Sequence, residues 1–247
     1  MDIRQYLDST YLKTASQAGL TKAENREVVI NFVQEAIDER FKLIMIRPDM
    51  VAMAKEMISN VHSKVTIGTV IDFPEGNGLL EDKLKEANQA IKDGADDLDF
   101  VIDYQAFISG QTDLVKKQVF EGTRLGLEHH KIVKWIIEVA ALNEHQIVQL
   151  SALIKNVVLA HFKESHYESV FVKSSTGFYK TEGGLPNGAT VAAIKLMVEN
   201  SFPLPVKAAG GVRTYEEAVE MIQLGVKRIG TSSAKAIADG GTAKNEY

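Results

Sequence analysis

The feature that most constrains the fold is a regular alternation of short apolar runs with helical repeats along the chain. Near-continuous apolar runs of this length are typical of parallel strands that helices cover on both faces. Strands are predicted over 6–10, 43–46, 65–71, 98–102, 132–138, 169–173, 205–207 and 226–230. Eight such units in 247 residues favour a closed (β/α)8 barrel, or TIM barrel, of the α/β class. An open doubly wound sheet stays as an alternative, because no Gly-x-Gly-x-x-Gly turn follows the first strand to decide between them.

Capping signals and apolar spacing predict helices between these strands. Thr21-Lys-Ala-Glu24 and Thr214-Tyr-Glu-Glu217 both fit a capping box, in which two side chains satisfy the first N–H groups of a helix. Further helices are predicted over 80–93, 114–128, 144–162 and 190–199. No linker interrupts the pattern, so residues 1–238 are predicted to form one barrel domain. The polar, glycine-containing segment 239–247 is predicted to be a mobile tail.

The composition excludes several classes of function. A net charge of −5 argues against nucleic acid or an anionic membrane as the main partner. The absence of cysteine excludes disulfides and thiolate chemistry. The first residues lack the basic and apolar segments of a signal peptide, and no apolar run approaches the roughly 20 residues that span a bilayer. We therefore expect a soluble, cytoplasmic protein.

Two lysines lie at the carboxyl ends of predicted strands, where the active sites of barrels are built. Lys173 follows Val-Phe-Val at the end of strand six, and Lys207 follows Pro-Val at the end of strand seven. Burial and a neighbouring positive charge both disfavour the ammonium form, so one lysine could become neutral enough to attack a carbonyl. The sequence pattern alone does not identify which of the two lysines is the nucleophile. The alternative is a pair of lysines that extend to solvent or form salt bridges.

A carboxylate is predicted inside the barrel with these lysines. Asp99 lies between Leu98 and Phe100 in an apolar run, so it should point inward and need a cationic partner. It could relay protons, or it could merely neutralise a lysine. Lys134 and Glu138 show the same inward spacing, and either join this network or pair with each other. The neighbouring Asp96 and Asp97 are interpreted as carboxylates of a loop or a strand start.

Glycine-rich turns after strands seven and eight predict a phosphate site. Gly210-Gly211-Val-Arg213 follows strand seven, and Gly230-Thr-Ser-Ser233 precedes a helix. Metal catalysis is disfavoured, because all six histidines fall in predicted helices or on their flanks and there is no cysteine. No metal or organic cofactor is expected, since a protonated imine can act as the electron sink.

Taken together, these segments resemble the deoxyribose-phosphate aldolase family, class I aldolases with a (β/α)8 fold. The resemblance runs along nearly the whole chain, and the Lys173 and Lys207 motifs are specific to the family. The segments that carry it are Leu7–Lys13, Phe73–Gly76, Gly94–Asp99, Ile136–Glu138, Phe171–Phe178, Lys207–Thr214 and Ile229–Ser233.

The resemblance implies a reaction and a role for each matching residue. The reaction is the reversible cleavage of 2-deoxy-D-ribose 5-phosphate to acetaldehyde and D-glyceraldehyde 3-phosphate, with Lys173 forming the imine, Lys207 lowering its pKa and Asp99 transferring protons. The groups implied in holding the phosphate are Gly177, Gly210, Gly211, Gly230, Ser232 and Ser233, and those implied in lining the pocket are Asp8, Thr10 and Thr176. In some members a carboxyl-terminal tyrosine assists proton transfer, which makes Tyr247 a further candidate. The implied partner is a small phosphorylated sugar, and a homodimer is the assembly considered.

Two other functions fit the same residues. One is a different lysine-imine barrel, such as a transaldolase or a keto-acid aldolase, which would use a donor other than acetaldehyde. The second is a phosphate-ligand binding protein whose lysines only neutralise the anion. Trapping of an imine on Lys173 separates the enzymes from the binding protein.

Overall fold

The computed structural model describes residues 1–183 and 185–241, and its centre is a closed barrel of eight parallel strands. The strands follow chain order around the barrel, and the first pairs with the last, so there is no free edge and the open sheet is excluded. The predicted (β/α)8 barrel is confirmed. The strands are β1 (Leu7–Thr10), β2 (Leu43–Ile46), β3 (Thr66–Ile71), β4 (Asp97–Val101), β5 (Ile132–Ile136), β6 (Val170–Lys173), β7 (Val206–Ala209) and β8 (Arg228–Thr231).

Helices surround the barrel and connect successive strands. They are α1 (Ala15–Ala18), α2 (Lys22–Glu39), α3 (Val51–Asn60), α4 (Leu80–Asp93), α5 (Tyr104–Ile108), α6 (Thr112–Glu128), α7 (Glu144–His161), α8 (Val191–Ser201), α9 (Tyr215–Gln223) and α10 (Ala234–Ala238). The two predicted capping boxes are present at the starts of α2 and α9, where Thr21 and Thr214 each cap the first turn. None of the described helices is long and apolar enough to span a membrane.

The strands bury apolar side chains between barrel and helices. On β4, Leu98 and Phe100 belong to the main core, and Phe100 stacks on Trp135 of β5 with ring centroids 5.0 Å apart. The Trp135 indole N–H donates to the Thr123 hydroxyl of α6 at 3.0 Å, which satisfies its buried polar atom. Because strand side chains alternate, the residues between these point into the barrel. That alternation places Asp99 in the interior.

The barrel interior is apolar on one side and charged on the other. Leu43, Met45 and Val70, from β2 and β3, form a small apolar cluster with Leu12. The strands β4 to β8, together with β1, supply buried charged side chains instead: Asp8, Asp97, Asp99, Lys134, Lys173, Lys207 and Arg228. Buried charges destabilise a fold unless each is paired with a charge of opposite sign.

The predicted boundary at residue 239 falls just after α10. Asp239 is held by ion pairs to Lys235 at 2.9 Å and to Arg4 at 3.6 Å. The described chain stops two residues later, so most of the predicted tail, including Tyr247, lies outside the described residues.

Candidate active site

The two lysines singled out from the sequence lie side by side in the barrel. Lys173 is the last residue of β6 and pairs in register with Lys207 on β7. The prediction that Lys207 ends its strand is wrong, since β7 continues to Ala209. Lys207 is therefore fully buried, whereas Lys173 at the strand end retains 3% exposure.

Asp99 joins both lysines through a single carboxylate oxygen. Its Oδ2 accepts a hydrogen bond from Lys173 Nζ at 2.8 Å and from Lys207 Nζ at 3.0 Å. Its other oxygen accepts from Lys134 Nζ at 2.8 Å. The predicted inward orientation and lysine partner of Asp99 are thus both observed. A carboxylate that contacts both amines can exchange protons with either of them.

Further ion pairs connect Lys134 and Lys207 to two more carboxylates, on the side of Asp99 away from the strand ends. Lys134 also binds Asp97 at 2.6 Å, so it belongs to the charged network and does not pair with Glu138. Lys207 Nζ lies 2.6 Å from Asp8 Oδ2. Asp97 does begin β4, as expected of a strand-start carboxylate, but it is buried in this network. Only Asp96 has a plain backbone role, since it accepts from the N–H of Ile67 at 3.0 Å.

Arg228 completes the network, and the sequence interpretation missed it. Its Nε donates to Asp8 Oδ1 at 2.7 Å, and its guanidinium lies 3.6 Å from Asp97. The signal that identified Asp99, a charge within an apolar run, was also present here, because Arg228 lies between Val226 and Ile229.

The charges of this described network do not balance when all groups are ionised. The cationic side chains are Lys134, Lys173, Lys207 and Arg228, and the carboxylates are Asp8, Asp97 and Asp99. Loss of one proton from a lysine would equalise the two signs. A balanced buried cluster is less costly than one with an uncompensated charge.

The lowered pKa of Lys173 makes this lysine the candidate for loss of this proton. Burial lowers the pKa of Lys173 to about 8; Asp99 opposes that effect, and the positive charge of Lys207 adds to it. Burial would raise the pKa of Asp99, but Lys134, Lys173 and Lys207 together hold it well below its usual value. The pKa of Lys134 is raised, because Asp97 and Asp99 outweigh its burial. An amine with a pKa near 8 is roughly one-tenth neutral at pH 7.

A cavity of about 150 Å³ opens above Lys173 at the carboxyl ends of the strands. Seven of the predicted residues line it: Thr10, Thr176, Gly177, Gly210, Gly211, Gly230 and Ser232. Asp8 does not line it, because both of its carboxylate oxygens face Lys207 and Arg228 beneath. Ser233 does not line it either, and its backbone N–H donates to Thr231 Oγ1 at 3.0 Å. Larger clefts of about 710 to 770 Å³ lie elsewhere and contain none of the buried charges.

The glycines of the cavity wall allow close packing of backbone. Gly210 has φ of 85°, and a Cβ added there would lie 2.9 Å from Gly188 Cα. Gly230 leaves room for the Lys207 side chain, since a Cβ there would lie 3.0 Å from Lys207 Cε. The sequence motif was interpreted as a phosphate turn, and the structure adds a role in seating Lys207.

One wall of the cavity is apolar, which the sequence did not predict. Leu12 and Phe178 line it, and Phe178 packs edge-on against Phe73 with ring centroids 5.1 Å apart. The Arg47 guanidinium lies 4.7 Å from the Phe73 ring centre. No local pattern signals this wall, because its residues come from loops far apart in the chain.

The loop after β6 is fixed by Glu138. The carboxyl group accepts from the backbone N–H of Thr176 at 3.1 Å and contacts the hydroxyls of Thr176 and Ser175. Burial raises the pKa of Glu138 above its usual value, although hydrogen bonds from Thr176 and Ser175 oppose this. Glu138 adopts a left-handed backbone with φ of 54°, a strained conformation for a residue with a side chain.

Within residues 1–183 and 185–241, no three histidine, aspartate or glutamate side chains are arranged to hold a metal ion. The arrangement of amine, carboxylate and second amine suits enzymes that make and break carbon–carbon bonds through a lysine imine, the class I aldolases.

The chain belongs to the DeoC/LacD family of aldolases, whose family model matches residues 6–238. A curated deoxyribose-phosphate aldolase of Thermococcus gammatolerans is 38% identical over 241 residues, covering 97% of this chain and 96% of the relative. A second, from Enterococcus faecalis, is 36% identical and covers 99% of both chains. A solved structure described as a tetrameric deoxyribose phosphate aldolase from Aeropyrum pernix superposes with a TM-score of 0.76 at 27% identity, covering 96% of this chain and 89% of the other.

Proposed function

We propose that this protein catalyses the reversible cleavage of 2-deoxy-D-ribose 5-phosphate to acetaldehyde and D-glyceraldehyde 3-phosphate. The observation that carries the proposal is Lys173, an amine of lowered pKa that contacts Asp99 at the floor of a cavity. The reaction named for the relatives supports it. No observation favours a phosphate-binding protein without chemistry, since such a protein has no need of a lysine with a lowered pKa.

In the synthetic direction the chemistry begins at Lys173. Its neutral amine attacks the aldehyde carbon of acetaldehyde, and the resulting carbinolamine loses water to give a protonated imine. Loss of a proton from the neighbouring methyl carbon gives an enamine. That carbon then attacks the aldehyde of glyceraldehyde 3-phosphate, whose oxygen takes up a proton. Water finally hydrolyses the imine and frees Lys173.

Asp99 and Lys207 are assigned the proton and charge roles in these steps. Asp99 lies 2.8 Å from Lys173 Nζ, within reach to accept and return the protons of carbinolamine formation and dehydration. Lys207 donates a hydrogen bond to the same Asp99 oxygen, and its positive charge helps to lower the pKa of Lys173. The substrate phosphate is assigned to the cavity rim formed by Gly177, Gly210, Gly211, Gly230 and Ser232, with Thr10 and Thr176 beside the sugar.

Reduction of the imine tests this proposal directly. The protein is incubated with acetaldehyde and borohydride, digested, and its peptides are measured by mass spectrometry. We expect an ethyl group on Lys173 and far less on the exposed Lys227, which serves as an internal reference. The variant K173M should lose both the adduct and the cleavage of deoxyribose 5-phosphate. An unmodified Lys173 peptide in the wild-type protein would end the imine proposal.

For the assembly we propose a homodimer. The neighbouring helices α5, α6 and α7 expose Ile108, Leu114 and Leu159, apolar side chains that a second copy could cover. Analytical ultracentrifugation measures the mass in solution. A monomer contradicts the proposal, and a tetramer, as described for the Aeropyrum pernix protein, corrects it.

A further inference from the structure

If Glu138 is ionised, the Ser175 hydroxyl lies within hydrogen-bond distance of two acceptors but has only one proton to donate. A serine hydroxyl carries one proton and two acceptor lone pairs. Ser175 Oγ lies 2.6 Å from the Asn187 carbonyl oxygen, 2.7 Å from Glu138 Oε1 and 2.9 Å from the N–H of Gly177. The Gly177 N–H donates, and the Asn187 carbonyl can only accept, so the Ser175 proton points to Asn187. The contact with Glu138 Oε1 is then a hydrogen bond only if that oxygen carries a proton.

The other carboxyl oxygen of Glu138, Oε2, only accepts hydrogen bonds. Oε2 accepts from the Thr176 N–H at 3.1 Å and from the Thr176 hydroxyl, whose own oxygen accepts from the Phe178 N–H at 3.0 Å. One oxygen that donates and one that only accepts is the pattern of a neutral carboxylic acid. An ionised carboxylate would place two unprotonated oxygens 2.7 Å apart, which is repulsive.

The surroundings of Glu138 also favour the protonated, neutral form of its carboxyl group. Its side chain is 1% exposed, and burial raises its pKa. The Lys173 ammonium is close enough to oppose this, but burial lowers the pKa of Lys173 itself to about 8. The other titratable groups facing Glu138 across the adjoining cleft are Glu75, Tyr104, Tyr179 and Lys180. Of these, only Lys180 has a basic side chain.

We propose that Glu138 is a neutral carboxylic acid and a positioning residue, which donates to Ser175 and holds the loop 175–177 in place beside Lys173. The role rests on the proposed function, because that loop lines the cavity assigned to the substrate. A neutral Glu138 also adds no negative charge next to Lys173. An ionised one would stabilise the ammonium form and keep the nucleophile inactive.

Infrared spectroscopy tests the protonation without any activity measurement. Wild-type protein at neutral pH should show the C=O stretch of a protonated carboxyl group that is absent from E138Q. This band should disappear as the pH is raised through the pKa of Glu138. The absence of any such difference between the two proteins overturns the proposal, whether or not borohydride traps an imine on Lys173.

Kinetics test the positioning role. Glutamine in E138Q is neutral, can accept from Thr176 and can donate to Ser175, so kcat/KM at neutral pH should stay within about threefold of wild type. E138A loses several hydrogen bonds to the loop, and KM should rise about tenfold or more while imine trapping on Lys173 persists. Wild-type KM should also rise as the pH is raised through the pKa of Glu138, and E138Q should lack that rise. If E138Q is impaired as strongly as E138A, the charge of Glu138 is needed and the proposal is wrong.

Discussion

The pKa of Lys173, the proposed nucleophile, is lowered mainly because its side chain is buried. The sequence interpretation named burial and a neighbouring positive charge together as causes of a lowered pKa, and the family resemblance assigned that charge to Lys207. In the structure burial contributes most, Asp99 opposes it, and the charge of Lys207 adds to it. Lys207 is even more deeply buried, but it lies against both Asp8 and Asp99, while Lys173 has Asp99 alone among the described carboxylates within ion-pair distance. The difference between the two amines is therefore one of partners.

The pH dependence of imine formation follows from this pKa. The ammonium form of Lys173 cannot attack a carbonyl, so the rate should rise with pH and level off above about 8, far below the ordinary lysine value of 10.5. In K207M the loss of a positive neighbour should move the midpoint upward, lowering the rate at pH 7 roughly tenfold for each pKa unit gained. Stopped-flow measurement of imine formation against pH gives both midpoints. The exposed Lys227 supplies the control K227M, whose profile should match wild type; a K207M midpoint at or below that of wild type would contradict the charge role.

Single residues show how far sequence reasoning reached into the site. Asp99 was predictable because a carboxylate within an apolar strand must point inward and find a cation. Glu138 was placed near the network by its spacing, but its left-handed backbone turns it away from Lys134 toward the loop after β6. A two-residue spacing rule fails once the strand ends at Ile136.

At the level of elements, the two helices with predicted capping boxes are present, whereas α1, α3 and α5 were not predicted. The boxes at Thr21 and Thr214 mark the starts of α2 and α9. The helix α3 was not predicted, and its first turn follows Met50, which supplies no capping hydrogen bond. Its buried face of Val51, Ala54 and Ile58 was still visible as a helical repeat. Packing on the barrel stabilises this helix in place of a local signal.

A buried lysine on α4 ties the loop after β3 to the barrel. Lys83 Nζ donates to the carbonyls of Gly76 at 2.6 Å and Val101 at 2.9 Å, and lies 3.2 Å from Asp72. K83M removes these donors and should destabilise the fold by about 2–4 kcal/mol. Urea unfolding followed by circular dichroism measures the change. K85M, which removes an exposed lysine two residues further along the same helix, is the control and should leave the midpoint unchanged; equal midpoints for the two variants would show that Lys83 does not hold the loop.

For the whole molecule, the number and order of the strands were predictable, but the division of the interior was not. Alternating patterns specify which residues point inward, yet only the closed register shows that Leu43 and Met45 fill one side while Asp99 and Lys134 occupy the other. Contacts such as that between Lys207 and Asp99 join residues 108 positions apart. No local pattern encodes them.

The carboxyl-terminal segment gives a test at the same scale. We propose that residues 1–238 form the catalytic barrel and that Tyr247 assists proton transfer. Deletion of Tyr247 should lower turnover while borohydride trapping on Lys173 is spared, because the imine needs only groups within the barrel. Y247F should behave like the deletion if the hydroxyl is the active group. Turnover equal to wild type in both variants would remove Tyr247 from the mechanism.

The ion pair between Asp8 and Arg228 joins the first strand of the barrel to the last. Asp8 also holds Lys207, which shares Asp99 with the nucleophile. During synthesis on the ribosome, the chain must therefore extend through β8 before the environment of Lys173 is complete. We expect a nascent chain lacking that strand to carry an ordinary, protonated lysine at position 173. The proposed nucleophile, and with it the risk of unwanted reaction with aldehydes, would then arise only after the barrel has closed.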